Sequence, residues 1–212
     1  VTGMYMKIKR LIDIGLSLIG LIVLSPIYLI LIIAIKIESR GPVLFKQKRV
    51  GINKTHFYIM KFRTMRIDTP KDTPTHLLEN PEQYITKMGK FLRKTSLDEL
   101  PQIWNIFVGQ MSIIGPRPAL WNQYDLIAER DKYGANDIPP GLTGWAQING
   151  RDEIPIEVKA KLDGEYVEQI SLLMDFKCFF GTIVSVIKSD GIVEGGTGSK
   201  KAVSSSEESI TK

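Results

Sequence analysis

The sequence is poor in the residues that build disulfides and zinc sites. Cys178 is the only cysteine, so no disulfide can form within the chain and nothing indicates an oxidising compartment. The two histidines, His56 and His76, have no cysteine or histidine neighbour at the spacing of zinc ligands. A disulfide-stabilised secreted scaffold and a zinc-binding module are therefore both excluded.

The chain also lacks the composition of a disordered protein and the length for two large domains. Its 212 residues allow one domain with a modest core and a small appendage. Hydrophobic residues make up 43% and charged residues 24%, as in ordinary folded proteins. The net charge of +5 suits phospholipid head groups, nucleotides or nucleic acid, and charge alone does not choose among them.

Charged residues are absent from one long N-terminal segment, between Ile14 and Ile35. A straight helix of this length would reach roughly 33 Å, which is enough to cross the hydrocarbon of a bilayer. Ser25 and Pro26 lie near its middle. Because proline removes a helical hydrogen bond and clashes with the preceding turn, the segment is predicted to be kinked there.

Basic residues flank this apolar segment on both sides. They are Lys7, Lys9 and Arg10 before it, and Lys36, Arg40, Lys46, Lys48 and Arg49 after it. Positive charge is typical of cytoplasmic ends, so a re-entrant helical hairpin would place both flanks on the same side. A proline-kinked helix that spans the membrane is the alternative.

A β-hairpin is predicted after the membrane segment. Residues Val43 to Val50 and Phe57 to Thr64 are rich in strand formers, and Gly51 to Lys54 form the turn. The alternation of a strand would place Lys61 and Arg63 on one face, where they could hold a phosphate or a lipid head group. A pair of solvated cations is the other interpretation.

Two adjacent acids lie in the centre of the chain. Ser96 and Glu99 have the spacing of a capping box, which predicts that Asp98 and Glu99 occupy the first turn of a helix. The acids either complement the helix dipole, or form a nucleophile and metal-binding pair beside Arg93 and Lys94. The octapeptide alone leaves both interpretations open.

Arg117 lies between two prolines in the sequence Gly115-Pro116-Arg117-Pro118. The prolines restrict the backbone on both sides, so the guanidinium is aimed in advance. Such an arginine suits a phosphate, which it can grip with two parallel hydrogen bonds. A rigid turn with an exposed arginine is the alternative.

The C-terminal third combines a loop, an apolar helix and a tail. In the loop from 139 to 151, Trp145 or Arg151 could contact a base, although glycine-rich loops are often plain turns. Residues Ile170 to Ile187 are predicted to form a helix that packs on the core or lies at a membrane interface. The segment from 195 to 212 has the composition of a disordered tail.

Four ordered motifs together resemble one known family. They are KFRTM at 61–65, TSLDELPQIWNI at 95–106, GQMSIIGPRPA at 109–119 and PGLTGWAQINGR at 140–151. In this order behind a Ser-Pro membrane helix, they closely resemble the bacterial sugar transferases, the monotopic polyprenyl-phosphate phosphoglycosyl transferases. The resemblance extends from about Lys7 to Ile192.

The resemblance implies an α+β fold. We expect a compact, helix-rich catalytic domain with a small β-hairpin, anchored by an N-terminal kinked re-entrant membrane helix. Residues 1–40 would form the anchor, 41–194 the catalytic domain and 195–212 the tail.

The resemblance also implies a catalytic pair. Asp98 would be the nucleophile, Glu99 would assist it, and both would bind Mg²⁺. We expect Asp98 to be ionised, with a pKa near its ordinary value or lower because cations lie beside it. The residues expected to bind substrate and phosphate, including Arg63 from the strand pattern, are Lys61, Arg63, Arg93, Arg117, Arg151 and Asp175.

The activity implied is transfer of a sugar 1-phosphate from a nucleotide-diphosphate sugar to polyprenyl phosphate, as the first membrane step of bacterial surface glycan assembly. The expected partners are the nucleotide-sugar, polyprenyl phosphate and membrane phospholipids, with no nucleic acid, and a homo-oligomer is left open. The expected location is the bacterial cytoplasmic membrane, with the catalytic domain facing the cytosol. The alternatives are a glycosyltransferase, which the lack of an Asp-x-Asp triplet disfavours, and a non-catalytic module that binds anionic lipid.

Overall fold

A computed structural model describes residues 2–69, 81–150 and 154–187 of the chain. Arg151 and the predicted tail at 195–212 lie outside the described residues. The helices are α1 (Thr2–Val23), α2 (Ser25–Glu38), α3 (Lys87–Lys94), α4 (Gln102–Phe107), α5 (Tyr124–Asp131), α6 (Trp145–Ile148), α7 (Ile156–Glu168) and α8 (Leu172–Ile187). The strands are β1 (Leu44–Val50), β2 (His56–Phe62), β3 (Ser112–Ile114) and β4 (Gly141–Thr143).

The apolar N-terminal segment forms two helices, and the second is bent by 59° away from the direction of the first. The break lies at Leu24, and Pro26 occupies the first turn of α2. The hydroxyl of Ser25 donates a hydrogen bond of 2.7 Å to the carbonyl of Ile22 in the turn before the break. The bend is thus located where Ser25 and Pro26 predict it. In the described ranges no single helix is long and apolar enough to cross a bilayer, but α1 and α2 together are, by length and composition.

Helix α1 is attached to the rest of the protein through polar side chains. The guanidinium of Arg10 donates to the carbonyls of Ile106 and Phe107, at 2.6 and 2.7 Å. The carboxylate of Asp13 accepts a hydrogen bond of 3.0 Å from the backbone N–H of Ile113. Most apolar side chains of α1 instead remain exposed, among them Leu11, Leu16, Ile19, Ile22 and Val23.

Helix α2 packs its inner face into a hydrophobic cluster. Its buried residues Leu31 and Ile35 meet Phe62 from the end of β2 and Leu92 from α3. The cluster is extended by partly buried side chains, including Leu97 and Leu100 on either side of the two acids. Helix α2 therefore supports the segment that carries Asp98 and Glu99.

The predicted β-hairpin is confirmed. Strands β1 and β2 pair antiparallel, from Leu44 opposite Phe62 to Val50 opposite His56. A short 3₁₀ turn joins them, with Asn53 in the left-handed region at φ 52°. Phe57 and Ile59 are buried on one face, in a cluster that also includes residues of α4 and the segment before β3.

The second half of the chain packs around a short parallel strand pair. Ser112 and Ile114 of β3 pair with Gly141 and Thr143 of β4, an arrangement that the sequence did not predict. Its core is the buried cluster formed by Ile114, Tyr166, Met174 and Cys178. The predicted apolar helix at 170–187 is observed as α8, with Met174 and Cys178 on its buried side. Its other side exposes Leu172, Leu173, Phe176, Phe179, Phe180, Ile183 and Val184.

The fold is helix-rich with a small antiparallel strand pair, as expected of the predicted α+β class.

Candidate active site

The two adjacent acids lie in a 3₁₀ turn, Leu97–Glu99, between α3 and α4. The predicted capping box is wrong. Ser96 adopts a left-handed conformation with φ 56°, and its N–H donates to the carbonyl of Arg93. This is the geometry of a residue that terminates the preceding helix, whereas an N-cap residue needs an extended backbone. Asp98 and Glu99 do lie in the first turn of a helix, as predicted, but it is a short 3₁₀ turn whose N-terminal residue Ser96 makes no side-chain capping hydrogen bond.

The carboxylate of Glu99 is held by two cations. Its Oε1 atom accepts a hydrogen bond of 2.6 Å from Nζ of Lys61 and one of 2.9 Å from Nη2 of Arg117. Burial alone would raise the pKa of Glu99, but the charges and hydrogen bonds of Arg117 and Lys61 outweigh it and hold this pKa far below its usual range. Glu99 is therefore ionised at neutral pH and fixes the ends of both cations.

The carboxylate of Asp98 is buried but not held. In the part of the chain that the structure describes, no group donates a hydrogen bond to it, and Nζ of Lys61 lies 4.0 Å from its Oδ2. Burial raises the pKa of Asp98 above its ordinary value; the charge of Lys61 opposes this shift and that of Glu99 adds to it. The expectation of a pKa near the ordinary value or lower is therefore wrong, because desolvation outweighs the nearby cations. The described residues therefore leave the lone pairs of this carboxylate available for another partner.

Arg93 reaches the site from the last turn of α3. Its Nε donates a hydrogen bond of 2.9 Å to the hydroxyl of Thr64, and its charge lowers the pKa of Asp98. The close approach of α3 depends on Gly89, since a Cβ atom there would lie 2.0 Å from the carbonyl oxygen of Thr64. The KFRTM motif thus meets α3, the helix that carries Arg93, through a glycine contact.

Arg117 reaches Glu99 from a loop that packs against the β4 segment. The backbone N–H of Gly141 donates to the carbonyl of Pro116 at 2.8 Å. This contact also requires glycine, because a Cβ atom at Gly141 would lie 2.1 Å from the backbone nitrogen of Gly115. The glycines of the PGLTG segment therefore allow the loop of Arg117 to settle at the acids.

The structure brings together five of the predicted site residues: Asp98, Glu99, Lys61, Arg93 and Arg117. Arg63 does not join them. It follows β2, and its guanidinium donates to the carbonyls of Ser39 and Arg40 and to the hydroxyl of Ser39. These contacts indicate a structural role at the end of α2, distinct from the phosphate-binding role expected from the strand pattern.

Asp175 lies in a separate polar cluster at the start of α8. Its carboxylate accepts hydrogen bonds from the hydroxyls of Tyr5 and Tyr166, at 2.7 and 2.6 Å, and forms an ion pair with the buried Lys9. These contacts join α1 to α7 and α8. They indicate that Asp175 attaches the N-terminal helix; its expected role in substrate binding stays a prediction.

The loop predicted to contact a base is described up to residue 150, and Arg151 lies outside the described residues. Trp145 starts the short helix α6, and its indole N–H donates a hydrogen bond of 3.0 Å to Glu165. Its ring packs partly buried against the cluster around Ile114. These contacts are those of a core residue.

Two residues near the acids were not singled out from the sequence. Gln102, the first residue of α4, is buried, and its Nε2 has no hydrogen-bond partner among the described residues. The hydroxyl of Tyr28 in α2 donates a hydrogen bond of 2.6 Å to the carbonyl of Leu100. The only sequence signal for Gln102 was its place directly after Pro101 in the central motif, and Tyr28 gave none.

The acids of the site determine which side chains could bind a metal ion. In the ranges that the structure describes, no three His, Cys, Asp or Glu side chains lie together as a metal-binding group. Among the described acids, the adjacent Asp98 and Glu99 are the pair that could hold a metal ion at this site. This donor set fits Mg²⁺, which commonly takes one or two carboxylates and completes its shell with substrate phosphates and water.

Sequence comparison identifies the family. The bacterial sugar transferase family model matches residues 4–189. The "Uncharacterized sugar transferase EpsL" of Bacillus subtilis is 40% identical over 187 residues, which are 88% of this chain and 91% of that protein. The "UDP-glucose:undecaprenyl-phosphate glucose-1-phosphate transferase" of Escherichia coli is 38% identical over 190 residues, 86% of this chain but 40% of that protein. The "Exopolysaccharide production protein PSS" of Rhizobium leguminosarum is 37% identical, with 86% and 96% covered.

The chain therefore spans nearly the whole length of some relatives and about two fifths of others. The matched range contains α2 to α8, all but the first two residues of α1, and every described residue of the site. The chain belongs to the bacterial sugar transferase family.

Proposed function

We propose that this protein transfers a sugar 1-phosphate from a nucleotide-diphosphate sugar, namely a UDP-sugar, to undecaprenyl phosphate and releases the nucleoside monophosphate. One observation carries the proposal: the Asp98 carboxylate, free of hydrogen bonds from the described residues, beside a Glu99 that holds Lys61 and Arg117. The names of the relatives from Escherichia coli and Xanthomonas campestris, both UDP-glucose:undecaprenyl-phosphate glucose-1-phosphate transferases, support this choice of substrates.

The reaction proceeds in two displacements at phosphorus. An oxygen of Asp98 attacks the phosphorus that carries the sugar, and the bond from this phosphorus to the nucleoside monophosphate breaks. The monophosphate leaves with the bonding electrons, and an acyl phosphate remains on Asp98. An oxygen of the lipid phosphate then attacks the same phosphorus and the bond to Asp98 breaks, which regenerates the carboxylate.

The cations of the site compensate for the charge of the substrates. A nucleotide diphosphate and a lipid phosphate each bring about two negative charges, which a bare pair of carboxylates would repel. Lys61 and Arg117 are fixed by Glu99, so they face the phosphates without being reorganised during the reaction. Arg93 adds a third positive charge from α3. Glu99 therefore serves as the residue that orients the phosphate-binding cations.

Mg²⁺ is the cofactor that fits this site. Asp98 and Glu99 would hold it, with the remaining ligands supplied by substrate phosphate and water. When bound, it neutralises charge on the transferring phosphate. The protein's own part is to keep the two acids adjacent and to exclude other ligands by burial of Asp98.

The exposed apolar surfaces support the proposal that the protein is attached to a membrane. The outer faces of α1 and α2 are apolar, and the bend of 59° allows both ends of the pair to return to the same side of a bilayer. The exposed side of α8 carries three phenylalanines, which suits a position at the membrane interface. We place the helix pair as a re-entrant hairpin in the bacterial cytoplasmic membrane, with the site facing the cytosol and close to lipid head groups.

The nucleotide that the reaction releases from the donor, UMP or UDP, distinguishes this function from its alternatives. Purified protein in detergent or nanodiscs is given UDP-glucose, other UDP-sugars, Mg²⁺ and undecaprenyl phosphate, and the released nucleotide is analysed. Phosphoglycosyl transfer predicts release of UMP, with repeated turnover only when undecaprenyl phosphate is present. Release of UDP would indicate a glycosyltransferase, and no release with any donor would leave a non-catalytic membrane module.

A further inference from the structure

The backbone around Arg117 is held by its carbonyl groups. Proline has no N–H, so the Gly-Pro-Arg-Pro segment has few donors with which to anchor itself. Instead the carbonyls of Pro116, Arg117 and Pro118 each accept a hydrogen bond from a different part of the protein. The donors are the N–H of Gly141 at 2.8 Å, Nη1 of Arg130 at 2.9 Å and Nη1 of Arg49 at 3.0 Å.

The central contact comes from a buried ion pair. Arg130 of α5 and Asp163 of α7 are 3% and 1% exposed. Oδ2 of Asp163 accepts a hydrogen bond of 2.8 Å from Nε of Arg130. The same oxygen forms an ion pair with Nη2 of Arg130 at 2.6 Å. The remaining arm of the guanidinium, Nη1, is thereby turned to the carbonyl of Arg117. Asp163 orients Arg130, and Arg130 fixes the backbone of Arg117.

Stability alone gives little reason for this pair. Removing two charges from water is costly, and well-packed apolar residues in place of a buried ion pair are often equally stable or more so. Neither side chain is exposed enough to contact a substrate. A buried guanidinium that donates to the backbone carbonyl of Arg117 is instead well suited to fixing the orientation of the Arg117 side chain.

We propose that Arg130 and Asp163 are positioning residues, which set the aim of the Arg117 guanidinium at the transferring phosphate. The proposal rests on the phosphate-binding role given to Arg117 above. The chain of contacts is continuous: Asp163 to Arg130, Arg130 to the Arg117 carbonyl, and the Arg117 side chain to Glu99. Through it, α5 and α7 determine the geometry of a site they do not enter.

Lysine cannot replace Arg130 in this role. A guanidinium offers donors in a rigid planar fork, so it can bind Asp163 on one edge and the Arg117 carbonyl on another. The lysine ammonium keeps the charge but presents donors from a single atom at the end of a flexible stem. Arg130→Lys therefore retains the ion pair with Asp163 and loses the defined contact to the loop.

A double-mutant cycle tests the proposal. Arg130→Lys is made in the wild type and in Arg117→Ala, and UMP release is measured with the folded, lipid-reconstituted proteins. In the wild type, kcat should fall by about tenfold to 10²-fold, with KM for the nucleotide-sugar changed by no more than about twofold, because misaiming acts on the transition state. In Arg117→Ala the same substitution should change kcat by less than about twofold, since the residue it aims is absent.

Two further variants complete the design. Asp163→Asn keeps the shape of the side chain but weakens its hold on Arg130, and it must show the same dependence on Arg117. Lys132→Met, which removes an exposed cation directly after the end of α5, is the control. Thermal unfolding of each variant is recorded.

Equal losses of kcat in both backgrounds would overturn the proposal and make the pair purely structural. Wild-type kcat in folded Arg130→Lys would overturn it as well. Failure of the proposed function is a different result, because then the unmodified protein itself would release no UMP.

Discussion

Asp98 and Glu99 are neighbours in the chain, but among the described residues cations donate hydrogen bonds to the Glu99 carboxylate and none to that of Asp98. Glu99 binds Lys61 and Arg117 at 2.6 and 2.9 Å, whereas Lys61 lies 4.0 Å from Asp98. The same turn therefore creates one carboxylate that organises positive charge and one that remains available. This difference is the basis for assigning attack to Asp98 and orientation to Glu99.

The ion pairs of Glu99 predict a pH-dependent stability. The pKa of Glu99 in the folded protein is far below its ordinary value of 4.5, so its contribution to stability is present above about pH 4.5 and is lost as the pH falls toward the folded value. At neutral pH Glu99→Gln should be less stable than wild type, because Lys61 and Arg117 lose their counter-charge. The gap in unfolding free energy, measured with denaturant in EDTA, should narrow below about pH 4.5. A gap that stays constant down to pH 3 would contradict the ion-pair account.

The phosphate-binding cations should each contribute to turnover. Arg93→Ala and Arg117→Ala are expected to lower kcat/KM by a factor that corresponds to about 2–4 kcal/mol, because preorganised cations stabilise transition-state charge in a buried site. Arg66→Ala, which removes an exposed arginine paired with Asp68, is the matched control. Wild-type kcat/KM in either site variant would reduce that arginine to a structural role.

Much of the fold was accessible from sequence because its signals are local. The hairpin and α8 follow from apolar periodicity, and the break at Leu24 follows from the proline. The parallel pairing of β3 with β4 could not be predicted from sequence, because each strand has three residues and pairs with a strand far along the chain. The capping-box signal at Ser96 failed because the same residue was needed to terminate α3.

The site was predicted in part for the same reason. Adjacency in the chain indicated Asp98 and Glu99, and the flanking prolines indicated Arg117. Strand alternation could not show that Arg63 turns to the carbonyls at the end of α2. Nor could any local pattern show that burial outweighs the cations around Asp98, because desolvation depends on the whole tertiary packing.

The basic flanks of the α1–α2 pair predict a one-sided topology. Cysteines introduced near Lys7 and near Arg40 should both react with a membrane-impermeant reagent from the cytosolic side only. The native Cys178 is buried and should give little background labelling. Replacement of Pro26 by alanine should straighten the pair and favour a span. Labelling of the two positions from opposite sides in the unmodified helix would establish a spanning segment.

Tyr28 links helix α2 to the turn that carries Asp98 and Glu99. Tyr28→Phe removes the hydrogen bond to the Leu100 carbonyl and should cost about 1 kcal/mol of stability, since a buried acceptor loses its partner. Because Leu100 directly follows Glu99, kcat should fall as well. Tyr124→Phe, at an exposed tyrosine, is the control for both measurements. Unchanged stability and kcat in Tyr28→Phe would show that this contact does not support the site.

The role of Asp98 is tested most directly by the covalent intermediate. The protein is given nucleotide-sugar and Mg²⁺ without lipid acceptor, and nucleotide release and intact protein mass are followed together. We predict release of about one UMP per protein and a mass increase of one sugar phosphate, mapped to Asp98 and absent in Asp98→Asn. An adduct on Glu99 would exchange the two roles. UMP release that always requires the lipid, with no adduct under any quench, would contradict attack by Asp98 and indicate direct transfer between the substrates.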